Sequence, residues 1–219
     1  MAVILAELPD ARRVEYRICG RSKTCLIFVK RKGDKDMNIK GTAIESVREF
    51  VKVKYNSRLN EWIDSLPAES KKIIKESYPT KWYPINEAIT EPTKKICELF
   101  YNGDIRGAWE SGRFSADHAL KGVYKLFVIF GNPVAAMEKA VVALPTYYQG
   151  SELKAVKLDE KKYALQMMKL PESNKYIEHR IGGWTERALE ICGAKGVSLK
   201  ITKQLSKGDA FTEYIAEWK

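Results

Sequence analysis

The fold is decided by three consecutive segments near the C-terminus: LKAVKLDEKKYALQMMK at 153–169, KYIEHRIGGWTERALEICG at 175–193 and VSLKITKQLSKGDAFTEYIAEW at 197–218. Tyr163, Leu165 and Met167 are large apolar residues at every second position, which is the period of a β-strand. Gly193 follows the helical segment at the position where a left-handed residue commonly ends a helix. The pattern predicts two strands, a helix over 175–192 and two further strands, with a turn at 207–209.

The middle of the chain has the period of helices instead. Ile44, Val47, Phe50 and Val51 fall on one helical face after Gly41. Further helices are expected around Trp62, after Pro67, over 85–101 with a dent at Pro92, over 114–131 and over 133–145. Because a run of helices precedes a segregated sheet, the sequence predicts the α+β class.

Residues 1–38 have the alternation of β-strands. One strand is expected at 14–18, a turn at 20–23 and a second strand at 25–29. A hairpin of this size is marginally stable by itself. We therefore divide the chain into an N-terminal β-hairpin extension at 1–38 and an α+β domain at 39–219.

Composition excludes several classes of protein. The chain has 219 residues, 45% of them hydrophobic, which is enough for an ordinary core. Its 38 Lys and Arg against 28 Asp and Glu give a net charge of +10, but the basic residues do not interleave with aromatic ones as in an RNA-binding sheet. No apolar run of about 18 residues predicts a membrane span, and no basic region precedes the first apolar stretch as in a signal peptide. We expect a cytoplasmic protein.

The residues that usually carry enzyme chemistry are sparse. Cys19 and Cys25 form the closest pair of the four cysteines, at a spacing that is neither CxxC nor that of a zinc site. Only His118 and His179 could complete a metal site, and no P-loop, G-x-S-x-G, H-E-x-x-H or G-x-G-x-x-G motif occurs. We expect no catalytic site, no metal and no cofactor.

A family resemblance extends from residue 39 to residue 219. It is carried by short motifs along this region: Lys40-Gly41-Thr42, Trp62 with Ser65-Leu66-Pro67, Trp82-Tyr83-Pro84, Gly103-Asp104, Gly131-Asn132-Pro133, Glu190-Ile191-Cys192-Gly193-Ala194-Lys195 and Glu217-Trp218. With these motifs the chain resembles a bacterial family of uncharacterised domains that is expanded as paralogues in myxobacteria. That family is similar in architecture to heme-nitric-oxide-binding (H-NOX) domains, to 4-vinyl-reductase-type ligand-binding domains and to subunits of the TRAPP vesicle-tethering complex.

The resemblance implies a fold and a kind of function. The fold is a helical N-terminal half packed on a small antiparallel sheet, with a helix inserted between the two strand pairs. The relatives are sensors or adaptors that hold an apolar ligand or a protein partner. An H-NOX heme site requires a proximal histidine on the helix before the sheet and a Tyr-x-Ser-x-Arg motif. Residues 133–145 contain no histidine and residues 151–180 contain no such motif, so we expect no heme and interpret His118 and His179 as surface or capping residues.

An apolar pocket between the helices and the sheet is the candidate ligand site. Its expected lining is aromatic and sulfur-containing: Phe114, Tyr124, Phe127, Phe130, Met137 and Met167. The competing interpretation is an ordinary core, because apolar side chains at helical spacing usually pack against one another. Trp82-Tyr83-Pro84 is interpreted as structural, with the indole inserted in the core and the tyrosine hydroxyl hydrogen-bonded.

We therefore expect a non-catalytic signalling or adaptor domain that binds a partner protein, a second copy of itself or a small apolar ligand, without heme. The first alternative is a cyclic-di-GMP effector, because Arg13 and Arg17 with Asp36 and Asn38 resemble the nucleotide-binding motif of PilZ domains. Two arginines could clamp guanine edges and phosphates. The second alternative is non-specific nucleic-acid association through the basic surface.

Overall fold

The computed structural model describes the backbone of three strands between residues 5 and 28, together with residues 38–120 and 132–219. The chain divides into two compact units, Met1–Lys35 and Asp36–Lys219. The predicted residues Tyr124, Phe127, Phe130 and Asp36 lie outside the described residues.

The first unit contains a three-stranded antiparallel sheet in the order β1-β2-β3. Its strands are β1 (Leu5–Glu7), β2 (Arg13–Ile18) and β3 (Thr24–Phe28). The register pairs Val14 with Phe28 and Arg17 with Cys25, so the predicted hairpin is confirmed. The sequence pattern did not indicate β1, which is too short to display a clear alternation.

The described part of the second unit has seven α-helices. They are α1 (Gly41–Lys54), α2 (Leu59–Ser65), α3 (Ala68–Glu76), α4 (Glu91–Phe100), α5 (Arg106–Leu120), α6 (Pro133–Ala143) and α7 (Lys175–Ile191). A π-helical turn at Asn86–Thr90 precedes α4, where Pro92 cannot donate a backbone hydrogen bond. None of these helices combines the length and the apolar character that crossing a membrane requires.

Two antiparallel sheets complete the second unit. The smaller pairs β4 (Asn38–Lys40) with β5 (Trp82–Pro84). The larger has the order β6-β7-β9-β8 and consists of β6 (Glu152–Asp159), β7 (Lys162–Lys169), β8 (Ser198–Lys203) and β9 (Thr212–Glu217). Since α7 lies between β7 and β8 in the chain, the predicted order of strand pair, helix and strand pair is confirmed, and so is the α+β class.

One hydrophobic core joins the helices to the larger sheet. Phe50, Trp62, Leu165 and Tyr214 are among its fully buried side chains. The Trp62 indole nitrogen donates to the Pro92 carbonyl at 3.2 Å, so the largest core side chain also satisfies its polar atom.

The Trp-Tyr-Pro segment is structural, but the predicted role of its tryptophan is wrong. Trp82 is 38% exposed, and the Lys40 ammonium lies 4.8 Å from the centroid of its ring. The short β4–β5 pairing turns this side chain outward, toward a cation rather than into the core. The Tyr83 hydroxyl accepts a hydrogen bond from the Tyr78 backbone N–H at 2.8 Å, as the sequence indicated.

The backbones of helices α5 and α7 lie in direct contact where the two helices cross. A Cβ atom added at Gly112 would lie 2.0 Å from the carbonyl oxygen of Arg180, and one added at Gly183 would lie 2.0 Å from the carbonyl oxygen of Trp109. Only glycine permits this approach of two backbones. The contact brings the Arg180 side chain of α7 to the hydroxyl groups on α5.

Candidate functional site

A cavity of about 260 Å³ lies between α1, α5, α7 and the chain segment that follows α6. Its wall consists mainly of apolar and aromatic side chains with a few polar groups among them: Thr42, Ala43, Glu45, Ser46, Ser115, His118, Ala119, Leu144, Tyr147, Tyr148, Arg180, Ile181 and Trp184. A concave apolar site with a few placed polar groups is the usual form of a small-molecule binding site.

Arg180 is the buried cation of this wall, with 2% of its surface exposed. Its Nη1 atom donates to the Ser111 hydroxyl, and its Nη2 atom donates to the hydroxyls of Ser46, at 3.1 Å, and Ser115. The two latter hydroxyl oxygens are 2.7 Å apart. Helices α1 and α5 therefore hold the guanidinium of α7 in a cage of three serines.

The electrostatic setting of this guanidinium is unusual. Burial lowers the pKa of Arg180, while the neighbouring Tyr148 hydroxyl acts to raise it. No carboxylate of the described residues forms an ion pair with it, although Glu45 also lines the cavity. By contrast, Arg113 pairs with Glu186 and Glu190. Burying a charge without an opposite charge costs several kcal/mol.

The two histidines have different surroundings. His118 is exposed at the edge of the cavity, and its ring stacks on Phe114 at 6.4 Å between centroids. His179 is half-buried, with Nδ1 2.8 Å from the Lys175 carbonyl oxygen, and burial lowers its pKa. Within 38–120 and 132–219, no three His, Cys, Asp or Glu residues are grouped closely enough to hold a metal ion.

Of the residues predicted to line an apolar pocket, the three that the structure describes do not line this cavity. Met137 and Met167 are buried in the core, and Phe114 packs edge-to-face on Phe50 at 5.5 Å. None of these three residues belongs to the cavity wall. The structure instead brings together polar residues that the sequence analysis did not single out.

A signal for these residues is nevertheless present in the sequence. Ser46 lies on the face of α1 that carries Val47 and Phe50, and Ser111 and Ser115 are four residues apart on α5. Arg180 follows the buried Ile177 by three residues and directly precedes Ile181. Serines and one arginine therefore occupy positions on the otherwise apolar faces of α1, α5 and α7. This pattern indicates that the three faces meet around a buried polar group.

The nucleotide-binding alternative remains a prediction. Arg13 and Arg17 both belong to β2. The Asn38 side chain donates to the Gln149 side chain at 3.0 Å, an interaction that stabilises the start of the second unit.

No family model matches this chain, and no curated protein matches it. Several solved structures do. An H-NOX protein from S. oneidensis in the Fe(II)NO ligation state has a TM-score of 0.66 at 12% identity, over 83% of this chain and 99% of that one. The Fe(II) unliganded H-NOX protein from K. algicida has a TM-score of 0.63 at 10% identity, over 83% of this chain and 97% of that one. The resemblance to the myxobacterial family remains a prediction.

The residues present do not fit a heme held as in an H-NOX domain. Helix α6, which precedes the sheet, contains no histidine and buries Met137 and Ala140 in the core. The cavity of about 260 Å³ is below the roughly 300–1,000 Å³ of pockets for drug-sized ligands. The chain has an H-NOX-like α+β fold.

Proposed function

We propose that this chain is a non-catalytic sensing domain that binds a small, largely apolar ligand without heme. The observation that carries the proposal is the cavity of about 260 Å³ between α1, α5 and α7. An apolar cavity of about 150 Å³ is already sufficient to bind benzene. The cavity is therefore large enough for a compound with one ring and a short substituent.

The wall supports binding rather than catalysis. A nucleophile requires a base within hydrogen-bond reach, whereas the Ser115 hydroxyl is engaged with Arg180 and Ser46. Neither of the two histidines is a hydrogen-bond partner of these serines in the described contacts. The serines accordingly act as hydrogen-bonding groups that hold Arg180.

The position of the cavity supports a signalling role. Its wall is shared by three helices that are distant in sequence, so a ligand that binds there contacts all three. A ligand shifts a conformational equilibrium only by its different affinity for the two states. A compound that bridges α1, α5 and α7 stabilises one arrangement of these helices, which a partner protein then recognises on the outer surface.

Native mass spectrometry of the purified chain, followed by denaturation and extraction, tests this proposal. We expect an added mass that is released on denaturation and that corresponds to one small organic molecule. Ala119→Phe, which fills the cavity, should abolish this added mass. The matched control is Val142→Phe on α6, where the side chain is 73% exposed and the added mass should persist. Equal ligand retention by both variants would contradict the proposed site.

A further inference from the structure

The orientation of Arg180 in the cavity wall leads to an inference about the ligand, which rests on the proposed function. Ser46 and Ser115, which accept from Nη2, both line the cavity, whereas Ser111, which accepts from Nη1, does not. Both N–H groups of Nη2 therefore donate to hydroxyl groups of the cavity wall. An anion in the cavity would lie against these two hydroxyl groups, with the guanidinium charge directly behind them.

Every described partner of this guanidinium is electrically neutral. Besides the three serine hydroxyls, they are the Ala43 carbonyl oxygen, 3.5 Å from Nη2, and the Tyr148 hydroxyl. Neutral acceptors satisfy N–H groups but do not balance a buried charge. Residues 121–131, which follow α5 in the chain, contain no Asp or Glu and so cannot supply a carboxylate.

The two half-buried arginines between α5 and α7 are paired with acids. Arg113 contacts Glu186 and Glu190, and Arg187 contacts Asp117 and Glu190. The interface between α5 and α7 therefore provides carboxylates for these two partly buried guanidinium groups. It provides none for Arg180, which is fully buried beside the cavity. An incoming anion would recover part of the electrostatic cost of burial.

The chemistry of the wall defines the kind of anion. One guanidinium balances the single negative charge of a carboxylate, and the hydroxyl groups of Ser46 and Ser115 stand between the two groups. A phosphate dianion would bring a second charge, and Glu45 at the wall would oppose it. Tyr147, Ile181 and Trp184 offer aromatic and aliphatic surface to the rest of the molecule.

We propose that the ligand is a small monocarboxylic acid, whose carboxylate balances the charge of Arg180 and whose apolar body, one ring or a short branched chain, fills the remainder of the cavity. Ser46 and Ser115 lie between the carboxylate and the guanidinium and help to orient the carboxylate. The same wall binds the uncharged analogue of the acid only weakly, because the amide leaves the buried guanidinium without a counter-charge.

Calorimetric titration of the full chain with three matched compounds tests the inference: 3-phenylpropionate, its neutral amide 3-phenylpropanamide, and phenyl phosphate. We expect the acid to bind at least about tenfold more tightly than the amide, because only the acid supplies a negative charge to balance the buried guanidinium. Arg180→Gln should reduce the affinity for the acid to that for the amide. Arg113→Gln, which removes a guanidinium from the same helix interface outside the cavity wall, should leave the preference for the acid unchanged.

The outcomes separate this inference from the proposed function. If the acid and the amide bind wild-type protein equally, or if the native protein releases a neutral molecule, the acid assignment is wrong while the cavity remains a ligand site. Tighter binding of phenyl phosphate would also overturn it. If no carboxylate from propionate to 3-phenylpropionate binds, the inference is wrong. If, in addition, no ligand can be extracted from the native protein, the proposed function is wrong as well. The comparison of acid with amide uses wild-type protein, so it stands even if Arg180→Gln does not fold.

Discussion

Gly112, at the crossing of α5 and α7, provides a quantitative test of how the site is built. In Gly112→Ala the new Cβ would lie 2.0 Å from the Arg180 carbonyl oxygen, far inside the 3.4 Å at which ordinary contact begins. The helices must therefore separate by roughly 1 Å, because packed interiors leave no space for the methyl group. That displacement lengthens the hydrogen bonds from Arg180 to Ser111 and Ser115.

The expected cost follows from these contacts. Overpacking costs about 1–3 kcal/mol, and each weakened hydrogen bond costs a further fraction of about 1 kcal/mol. The higher helix propensity of alanine returns about 1 kcal/mol. A net loss of about 2 kcal/mol lowers the melting temperature of a chain of this size by roughly 4–8 °C.

The assay is thermal unfolding monitored by circular dichroism, with titration of 3-phenylpropionate on the same samples. We expect Gly112→Ala to be less stable and to bind the acid more weakly. The control is Gly193→Ala, where φ is +96° and nothing lies within 4 Å of the added Cβ. It should cost about 1–2 kcal/mol of backbone strain without a change in affinity. A Gly112→Ala protein with the stability of wild type would refute the close approach of the helices.

Three further predictions concern the rest of the second unit. Burial acts to raise the pKa of Glu178, but hydrogen bonds from Ser206 and Thr212 outweigh it and the pKa is lowered. The carboxylate thus stabilises the fold above its unfolded pKa of about 4.3 and loses this effect as pH falls through the folded pKa. Glu178→Gln should reduce the free energy of unfolding, measured in urea, by about 1–3 kcal/mol at pH 7. The difference from wild type should become smaller at acidic pH, and a difference that does not change with pH would contradict the stabilising role of the carboxylate. Asn174 caps α7 by accepting from two backbone N–H groups, so Asn174→Ala should cost about 0.5–2 kcal/mol in the same assay, and an unchanged midpoint would exclude that role. Burial raises the pKa of Cys97 to about 11. Iodoacetamide at pH 8 should therefore leave this thiol unmodified in peptide maps of the folded protein. Labelling of the folded protein as fast as of the protein in urea would show that the thiol is not protected.

The sequence predicted those parts of the fold that depend on local periodicity. Alternation at Tyr163, Leu165 and Met167 corresponds to β7, and Gly193 follows the end of α7 with φ +96°. These signals are reliable because a strand with one buried face requires apolar residues at every second position, and because the left-handed residue that ends a helix is usually glycine. Trp82 was misassigned because no local pattern distinguishes an indole that inserts in the core from one that packs beneath a lysine.

The candidate site was not predicted, because its wall is assembled from helices that are distant in sequence and a polar residue on one apolar face does not show which other face it meets. Ser46, Ser115 and Arg180 belong to α1, α5 and α7, and their meeting depends on the helix crossing that Gly112 permits. The aromatic residues chosen from the sequence were the largest apolar ones, which are the residues most often used to fill a core. A binding cavity is instead a place where the core is left unfilled.

We propose that this H-NOX-like fold carries a site for a small organic ligand in place of heme. The most direct measurement is the visible absorption spectrum of the chain, expressed with 5-aminolevulinate so that heme is abundant, before and after exposure to nitric oxide. We expect a purified protein without a Soret band and without a response to nitric oxide. A Soret band corresponding to one heme per chain that shifts with nitric oxide would contradict the account.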